Sequence, residues 1–325
     1  MANLIWEIEP IDYDLCVEWA ISRRSDSHKR NYLIKIQGKI YGEFAPNIHF
    51  GETHEVIEKQ ILKFKSKSEL LNTLESSLNF CSFERGENNY FNSFLAGIEM
   101  ASINYFDSFN QFFGKSSNFC KSSMSVPIIS FEGFKNYFNQ MRLGEFEIIK
   151  IKANENLPIE IIEYILDHTR AFISVDYNEA ITSMEKAKEH LTYLSKIKRL
   201  KYIEQPFSAK NKNLYLELKK ITQIPIFLDE TITKQSIPND ITEFCDGINF
   251  KVMKSGGPLN TLEQIKMARS LNLKCMLGCM VESSLSMAMY VKMSHLVDFC
   301  DLDGSLFLKQ DPFKMIEVKN GIVMI

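Results

Sequence analysis

The sequence predicts an α/β barrel of parallel strands that is preceded by a smaller α+β domain. Eight short apolar runs alternate with helical patterns from residue 126 onward, and this alternation is typical of parallel βαβ units. The chain has 325 residues, which is enough for one barrel and an additional domain. Several apolar runs also end in a carboxylate or a lysine, and catalytic groups gather at the C-terminal ends of barrel strands.

The N-terminal third has a different pattern from the rest of the chain. Two strand-like runs, LIWEIEP and NYLIKIQGKIYGEF, precede stretches whose apolar residues recur at helical steps of three and four. The serine-rich stretch GKSSNFCKSSMS then indicates a boundary near residue 120. We therefore predict an α+β domain over residues 1–120 and a barrel over residues 121–305. The tail, residues 306–325, contains MIEVKNGIVMI, which predicts a hairpin that returns to the N-terminal sheet.

The barrel region contains one strand candidate for each position of an eight-stranded barrel. A helical pattern separates each candidate from the next, except that only the short segment ITEFC precedes the sixth. The candidates in chain order are VPIIS, FEIIKIK, AFISVDY, LKYIEQPF, IPIFLDE, GINFKVM, LKCMLGCM and VDFCDLD.

Composition and charge exclude several classes of partner. The formal net charge is −3 and 45% of the residues are hydrophobic, so we expect a globular protein without a basic surface for nucleic acid. No run of about 18 apolar residues predicts a membrane span. An acidic N-terminus unlike a signal peptide and an odd count of seven cysteines predict free thiols in the cytoplasm. The sequence does not determine the oligomeric state, and a homo-oligomer is one possibility.

Three carboxylates end three successive predicted strands. Asp176, Glu204 and Asp229 stand at the same height of their strands, so they are expected to converge. Carboxylates that are brought together repel one another unless a cation lies between them. Because the donors are all oxygens, the pattern favours Mg²⁺ over zinc.

Lysines and a second pair of acids flank this predicted metal site. Lys150 and Lys152 are two residues apart, so they share one face of a strand. Crowded lysines lower each other's pKa from about 10.4 toward roughly 7–8, which suits a general base. Lys251 ends a further strand, and Asp301 and Asp303 share a face of the last one.

The ordered set KIK, VDYN, YIEQP, LDET and NFKVMKSGG resembles the enolase superfamily, in its muconate-lactonising subgroup. The sequence DLD at 301–303 is similar to that of the dipeptide epimerases, and YGEFAP near residue 41 resembles their cap-domain strand and turn. The resemblance implies a modified (β/α)₇β TIM-type barrel with an α+β N-terminal capping domain.

The resemblance also implies roles for the charged residues. Lys152 and Lys251 would be the two acid/base groups on opposite sides of the substrate, and Lys150 would assist Lys152 electrostatically. The three carboxylates would hold Mg²⁺, which stabilises the enediolate formed when the α-proton leaves. One lysine would remove the proton and the other would deliver one to the opposite face.

A dipeptide would be the substrate. Asp301 and Asp303 would bind its α-ammonium through charge-assisted hydrogen bonds. Arg24, with Arg23 as the alternative, would lie in a flexible loop over the site and pair with a side-chain carboxylate of the substrate. Met280, in the loop after the seventh strand, would present backbone groups to the peptide.

We therefore predict an isomerase, a Mg²⁺-dependent dipeptide epimerase most similar to L-Ala-D/L-Glu epimerases of cell-wall peptide recycling. Three alternatives stay open: another dipeptide specificity, an o-succinylbenzoate synthase or cycloisomerase of the same superfamily, and a catalytically dead binding protein. The DLD sequence favours a dipeptide, because the reactions of the synthase and the cycloisomerase involve no ammonium group.

Overall fold

The N-terminal domain is an antiparallel sheet covered by helices. The structure is a computed structural model that describes residues 3–21, 24–233 and 237–325, without the side chains of residues 19–21 and 24. In this part of the chain the domain consists of β1 (Trp6–Ile21), β2 (Arg24–Ile36), β3 (Lys39–Phe44), α1 (His54–Ser68), α2 (Leu74–Glu87), α3 (Asn92–Tyr105) and α4 (Phe109–Phe113).

Two glycines allow the central helix α3 to lie directly on this sheet. A Cβ atom on Gly42 of β3 would lie 2.8 Å from the carbonyl oxygen of Gly97, and a Cβ on Gly97 would lie 2.8 Å from Ile34. Both contacts are shorter than side-chain atoms tolerate, so only glycine permits this approach. As a consequence, every residue of α3 from 93 to 103 is buried.

The segment predicted as a flexible loop over the site is largely strand. β1 and β2 form a long antiparallel hairpin whose register shifts between Asp14 and Trp19 and then continues to the pair Ile21 and Arg24. The prediction of a loop was therefore wrong for the described part of this segment, because backbone pairing continues to Ile21 and Arg24.

The second part of the chain is a barrel of eight parallel strands, which confirms the predicted fold class. After β4 (Phe119–Lys121), the strands are β5 (Met124–Val126), β6 (Ile148–Lys152), β7 (Phe172–Asp176), β8 (Leu200–Glu204), β9 (Ile226–Leu228), β10 (Gly247–Lys251), β11 (Lys274–Gly278) and β12 (Phe299–Asp301). Each strand pairs with the next in sequence order from β5 to β12. A bridge between Ser122 and Cys300 joins the two ends of the sheet.

Helices lie between most of the strands, as the alternating pattern predicts. They are α5 (Phe131–Gln140), α6 (Ile159–His168), α7 (Met184–Leu194), α8 (Lys212–Ile221), α9 (Val252–Ser255), α10 (Pro258–Ser270) and α11 (Ser284–Met293). A 3-10 turn, Asn239–Glu243, replaces the helix between β9 and β10, where the sequence offers only a short segment. The last strand is followed by another 3-10 turn, Gly304–Phe307, which gives the (β/α)₇β form.

The C-terminal tail forms the predicted hairpin but pairs with a different partner. β13 (Glu317–Lys319) and β14 (Ile322–Met324) are antiparallel, and β14 pairs with β4 rather than with the sheet of β1–β3. The expected return to that sheet was therefore wrong. Opposite residues Val323 and Cys120 are both buried, so this pairing removes their apolar side chains from water.

Two general expectations concern the whole chain. None of the helices in the described ranges combines the length and the apolar character that crossing a membrane requires. All seven cysteines lie within the described ranges and are free thiols, six of them buried.

Candidate active site

A cavity of about 310 Å³ lies where the C-terminal ends of the barrel strands face the N-terminal domain. The barrel contributes charged side chains to its wall, including Lys150, Lys152, Asp229, Lys251, Asp301 and Asp303. The N-terminal domain contributes Asp26 and Lys29 of β2 and the loop residues 47–50. The cavity is therefore lined both by the charged groups predicted at the strand ends and by residues of the predicted capping domain.

Lys150 and Lys152 are both buried and both contact carboxylates. The Nζ atom of Lys152 donates to Asp176 Oδ2 at 2.5 Å. The Nζ atom of Lys150 bonds to Asp301 and lies 3.7 Å from Asp176 Oδ2 and 3.5 Å from Glu204 Oε2. Asp176 Oδ2 contacts both lysines, so its negative charge reduces the repulsion between the two Nζ atoms.

The pKa of Lys150 differs from the expectation for crowded lysines. Burial opposes its charge, but Asp301, Glu204 and Asp176 outweigh burial and raise the pKa well above the usual range. The predicted lowering was wrong for this residue, because three carboxylates contribute more than one neighbouring lysine. A raised pKa favours the charged form of Lys150, which suits an electrostatic role rather than that of a base.

Glu204 is oriented by an asparagine that sequence reasoning did not identify. Asn249 Nδ2 donates to Glu204 Oε1 at 2.7 Å, and Gly278 of the next strand leaves room for the Asn249 side chain. Burial and the negative charge of Asp176 raise the pKa of Glu204 to about 8. Asn249 lies two residues before Lys251 on the same strand face, so strand alternation was the pattern that could have revealed it.

Asp229 lies between two lysines. Lys251 Nζ is 2.9 Å from Asp229 Oδ2, and Lys254 Nζ bonds to Asp229 Oδ1. Despite burial, the two lysines hold the pKa of Asp229 well below its usual range, and despite its own burial Asp229 raises the pKa of Lys251. Lys254 was missed because it lies in α9, beyond the strand-end pattern; burial lowers its pKa.

Asp301 and Asp303 have different surroundings. Asp301 accepts hydrogen bonds from Ser123 Oγ at 2.6 Å and from Lys150. Asp303 accepts from the backbone N–H of Ser125 at 2.7 Å, and burial together with the charge of Asp301 raises its pKa to about 6. In the described part of the chain, Lys150 forms an ion pair with Asp301, whereas no lysine forms one with Asp303.

Comparison with known proteins identifies the family. The family model described as Enolase C-terminal domain-like matches residues 135–323, which is more than half of the chain. The chain belongs to this family. The match confirms the resemblance carried by the ordered strand-end motifs.

Individual enolase-like relatives cover different shares of the chain. An L-Ala-D/L-Glu epimerase of Bacteroides thetaiotaomicron is 32% identical over 55% of this chain and 46% of the relative, so the match spans about half the length of such curated relatives. An L-Ala-D/L-amino acid epimerase of Maribacter sp. is 26% identical over 94% of this chain and 89% of the relative. The structure of a dipeptide epimerase from Enterococcus faecalis, complexed with Mg and the dipeptide L-Leu-L-Tyr, has a TM-score of 0.87 at 17% identity and covers 100% of this chain and 97% of its own.

The predicted metal ligands of this enolase-like barrel have the right donor types for Mg²⁺. Asp176, Glu204 and Asp229 supply only oxygens, all three are buried, and Glu204 Oε2 has no hydrogen-bond partner among the described residues. In the same part of the chain, no three acidic, histidine or cysteine side chains are arranged closely enough to hold a metal ion. The donor chemistry thus fits Mg²⁺, while lysines supply the positive charge beside each acid.

The predicted substrate contacts outside the barrel strands are only partly described. Arg24 lies in β2 but its side chain is outside the described residues, and Arg23 is outside them altogether. Met280 lines the cavity, and its backbone N–H donates to Glu282 Oε1 at 2.9 Å. Lys29 and Asp26 of β2, which line the same cavity, were not predicted.

A buried pair of carboxylates lies where the N-terminal domain meets the loop after β11. Glu43 of β3 accepts from the N–H of Ser283 at 3.0 Å, and Glu282 accepts from the hydroxyl of Tyr290 at 2.6 Å. Burial and the charge of Glu43 raise the pKa of Glu282 to about 7. The folded protein therefore binds the Glu282 proton more tightly than the unfolded chain does.

We expect this proton to make stability depend on pH. The free energy of unfolding should fall as pH rises from about 4.5 to about 7, since in this range the unfolded chain releases the proton and is stabilised by rising pH, while the folded protein still holds it. Glu282→Gln keeps the neutral form and should remove a decrease on the order of 3 kcal/mol. Urea denaturation at pH 5 and pH 8 measures this change, with exposed Glu58→Gln as the control. An unchanged pH slope in Glu282→Gln would contradict the prediction.

Proposed function

We propose that this protein is a Mg²⁺-dependent dipeptide epimerase that inverts the α-carbon of the C-terminal residue by proton transfer between two lysines. The observation that carries the proposal is that Lys152 and Lys251 line one cavity together with Asp303. The names of the curated relatives and the Mg²⁺ and dipeptide in the Enterococcus faecalis structure support it.

The two lysines are suited to opposite halves of the reaction. Lys152 belongs to β6 and contacts Asp176, whereas Lys251 ends β10 and contacts Asp229, so different strands hold them. In this proposal one ε-amine removes the α-proton and the other ε-ammonium delivers a proton to the opposite face. The chemistry that Mg²⁺ supplies when bound by Asp176, Glu204 and Asp229 is stabilisation of negative charge on the substrate carboxylate.

The end of the cavity near β12 is suited to a free amine. Asp303 lines the cavity, and its two oxygens accept from the Ser125 N–H and, at 4.0 Å, from the Cys279 thiol. Both donors are neutral, so the charge of Asp303 is available to an ammonium group. Lys150 shares the charge of Asp301, so Asp303 is expected to contribute more to ammonium binding than Asp301. A substrate whose amine is acylated would bury Asp303 without a cation, which is unfavourable.

We propose L-Ala-D/L-Glu as the first dipeptide to test. The name of the Bacteroides thetaiotaomicron relative supports this choice. Lys29, whose Nζ atom donates to the carbonyl oxygen of Pro46 at 2.5 Å, places a positive charge on the N-terminal side of the cavity, while Asp26 on the same strand places a negative one there. A panel that varies the charge of the C-terminal residue is therefore part of the test.

The proposed activity is tested by proton exchange in heavy water. With Mg²⁺ present, ¹H NMR should show loss of the α-proton of the C-terminal residue and appearance of the other epimer, and EDTA should stop both. The panel contains L-Ala-L-Glu, L-Ala-L-Lys, L-Leu-L-Tyr and the N-acetyl form of each. We expect the N-acetyl forms to react at least about 10-fold more slowly, since they lack the ammonium.

Two results would contradict this proposal. Absence of exchange with every free dipeptide would exclude an epimerase with this substrate class. Faster exchange of the N-acetyl forms would indicate an enolase-like enzyme whose substrates lack an amine, such as an N-acylamino acid racemase or a cycloisomerase.

A further inference from the structure

Side chains of the N-terminal domain hold the segment that follows Lys251. Residues 252–259 comprise the short helix α9, two glycines and the start of α10. Helices α2 and α3 of the N-terminal domain contribute three polar side chains that bond to the backbone of this segment. The position of one proposed base is thus connected to a part of the chain that precedes the barrel.

Asn92, at the first position of α3, connects two segments that follow barrel strands. Its Nδ2 atom donates to the carbonyl oxygen of Lys254 at 2.6 Å and to that of Thr233 at 2.9 Å. The first segment, helix α9, follows Lys251, and the second follows Asp229. One side-chain amide therefore fixes the distance between the backbone segments that carry this proposed base and its carboxylate partner.

A buried ion pair supports the same segment a few residues further on. Arg85 donates to Glu99 Oε2 at 2.7 Å and to the carbonyl oxygen of Gly256 at 2.6 Å. Glu99 Oε1 accepts from the backbone N–H of Leu259 at 2.6 Å. The side chains of the pair are 8% and 2% exposed, so the contacts are shielded from water.

The two glycines of this segment are required by the same contacts. Gly256 has φ +84° and Gly257 has φ +140°, which side-chain-bearing residues rarely adopt. A Cβ on Gly256 would lie 2.9 Å from Arg85, and one on Gly257 would lie 2.4 Å from Glu99. The backbone after Lys251 is therefore shaped to fit side chains of the N-terminal domain.

We propose that Asn92 is a positioning residue for Lys251, and that the Arg85–Glu99 pair holds the segment on which Asn92 acts. This inference rests on the proposed function, because it assigns Lys251 to proton transfer. Asn92 lies outside the cavity wall and acts through the backbone of residues 252–254. Loss of its two hydrogen bonds should let Lys251 move relative to the substrate while Lys152, on the opposite side of the barrel, keeps its place.

The inference predicts an unequal effect on the two epimers. Each lysine removes the α-proton of only one epimer, so a displaced Lys251 slows proton loss from that epimer alone. A displacement near 1 Å can reduce a rate by up to about 100-fold. We expect Asn92→Ala to slow the Lys251-dependent proton loss at least about 10-fold more than the Lys152-dependent one.

The experiment measures the initial rate of α-proton loss from each pure epimer in heavy water at saturating Mg²⁺. Lys152→Ala and Lys251→Ala first establish which epimer depends on which lysine. Asn92→Ala is then compared with Asn104→Ala, whose amide donates to the Tyr41 carbonyl at 2.8 Å inside the N-terminal domain. Arg85→Met is the second test variant, and thermal unfolding of each variant shows whether it folds.

Slower proton loss confined to the Lys251-dependent epimer in Asn92→Ala or Arg85→Met, and absent in Asn104→Ala, would support the inference. An equal decrease for both epimers, or no decrease, would overturn it. If the two lysine variants themselves show no dependence on the epimer, the proposed two-lysine function fails instead, which distinguishes the two conclusions.

Discussion

Replacement of Lys251 by alanine is expected to lower the rate of epimerisation by about 10²–10⁴-fold, the range typical of a lost general acid or base. The same variant should keep α-proton exchange of one epimer, because Lys152 can still remove and return a proton on its own side. Lys152→Ala should show the opposite preference. The measurement is ¹H NMR of each pure epimer in heavy water, which separates proton loss from inversion.

The structure offers a matched control and a clear contradictory outcome. Lys266 is an exposed lysine of α10 that pairs with Glu263, so Lys266→Ala should leave both rates unchanged. Asp229 keeps Lys254 as a partner in Lys251→Ala, and the variant is therefore expected to fold. If Lys251→Ala epimerised as fast as the unmodified protein, the two-lysine proposal would be wrong.

Replacement of Lys150 by methionine is expected to lower the free energy of unfolding by about 3–5 kcal/mol, the usual cost of breaking a buried ion pair. Lys150 is 1% exposed and is the cation shared by Asp176, Glu204 and Asp301. Without it, those carboxylates remain buried with less compensation. Urea denaturation without added divalent cation measures the loss, and the double variant Lys150→Met/Asp301→Asn should recover part of it.

An exposed lysine provides the comparison for this prediction. Lys121 forms an ion pair with Glu147 at the surface, where such pairs contribute roughly 1 kcal/mol or less. Lys121→Met should therefore change stability much less than Lys150→Met. Equal stability of Lys150→Met and the unmodified protein would show that the acids do not depend on this lysine.

The local pattern of the sequence was sufficient to locate the barrel strands and the charges at their ends. A buried parallel strand needs a continuous apolar run, and the charged residue that ends it must lie at the C-terminal edge of the sheet. For this reason Lys152, Asp176 and Lys251 could be assigned to strand ends from the residue pattern, and each of them does end its strand. Their assignment to catalysis and metal binding stays a prediction.

The sequence could not show which charges pair. Lys150 of β6 bonds to Asp301 of β12, which lies 151 residues later, because closure of the barrel brings its last strand next to its first two. The lowered lysine pKa was predicted from neighbours in the sequence alone, and the carboxylates that reverse it come from three other strands. The partner of the C-terminal hairpin was mistaken for the same reason, since β4 and β14 are adjacent only in the folded chain.

The sequence by itself determined the order of strands and the position of each charged residue along its strand, because these depend on local backbone and side-chain preferences. The tertiary structure decided that Lys254 contacts Asp229, that Asn249 orients Glu204 and that Asn92 connects two segments that follow barrel strands. Such contacts depend on distances between segments far apart in the chain, and packing of the N-terminal domain against the closed barrel sets those distances.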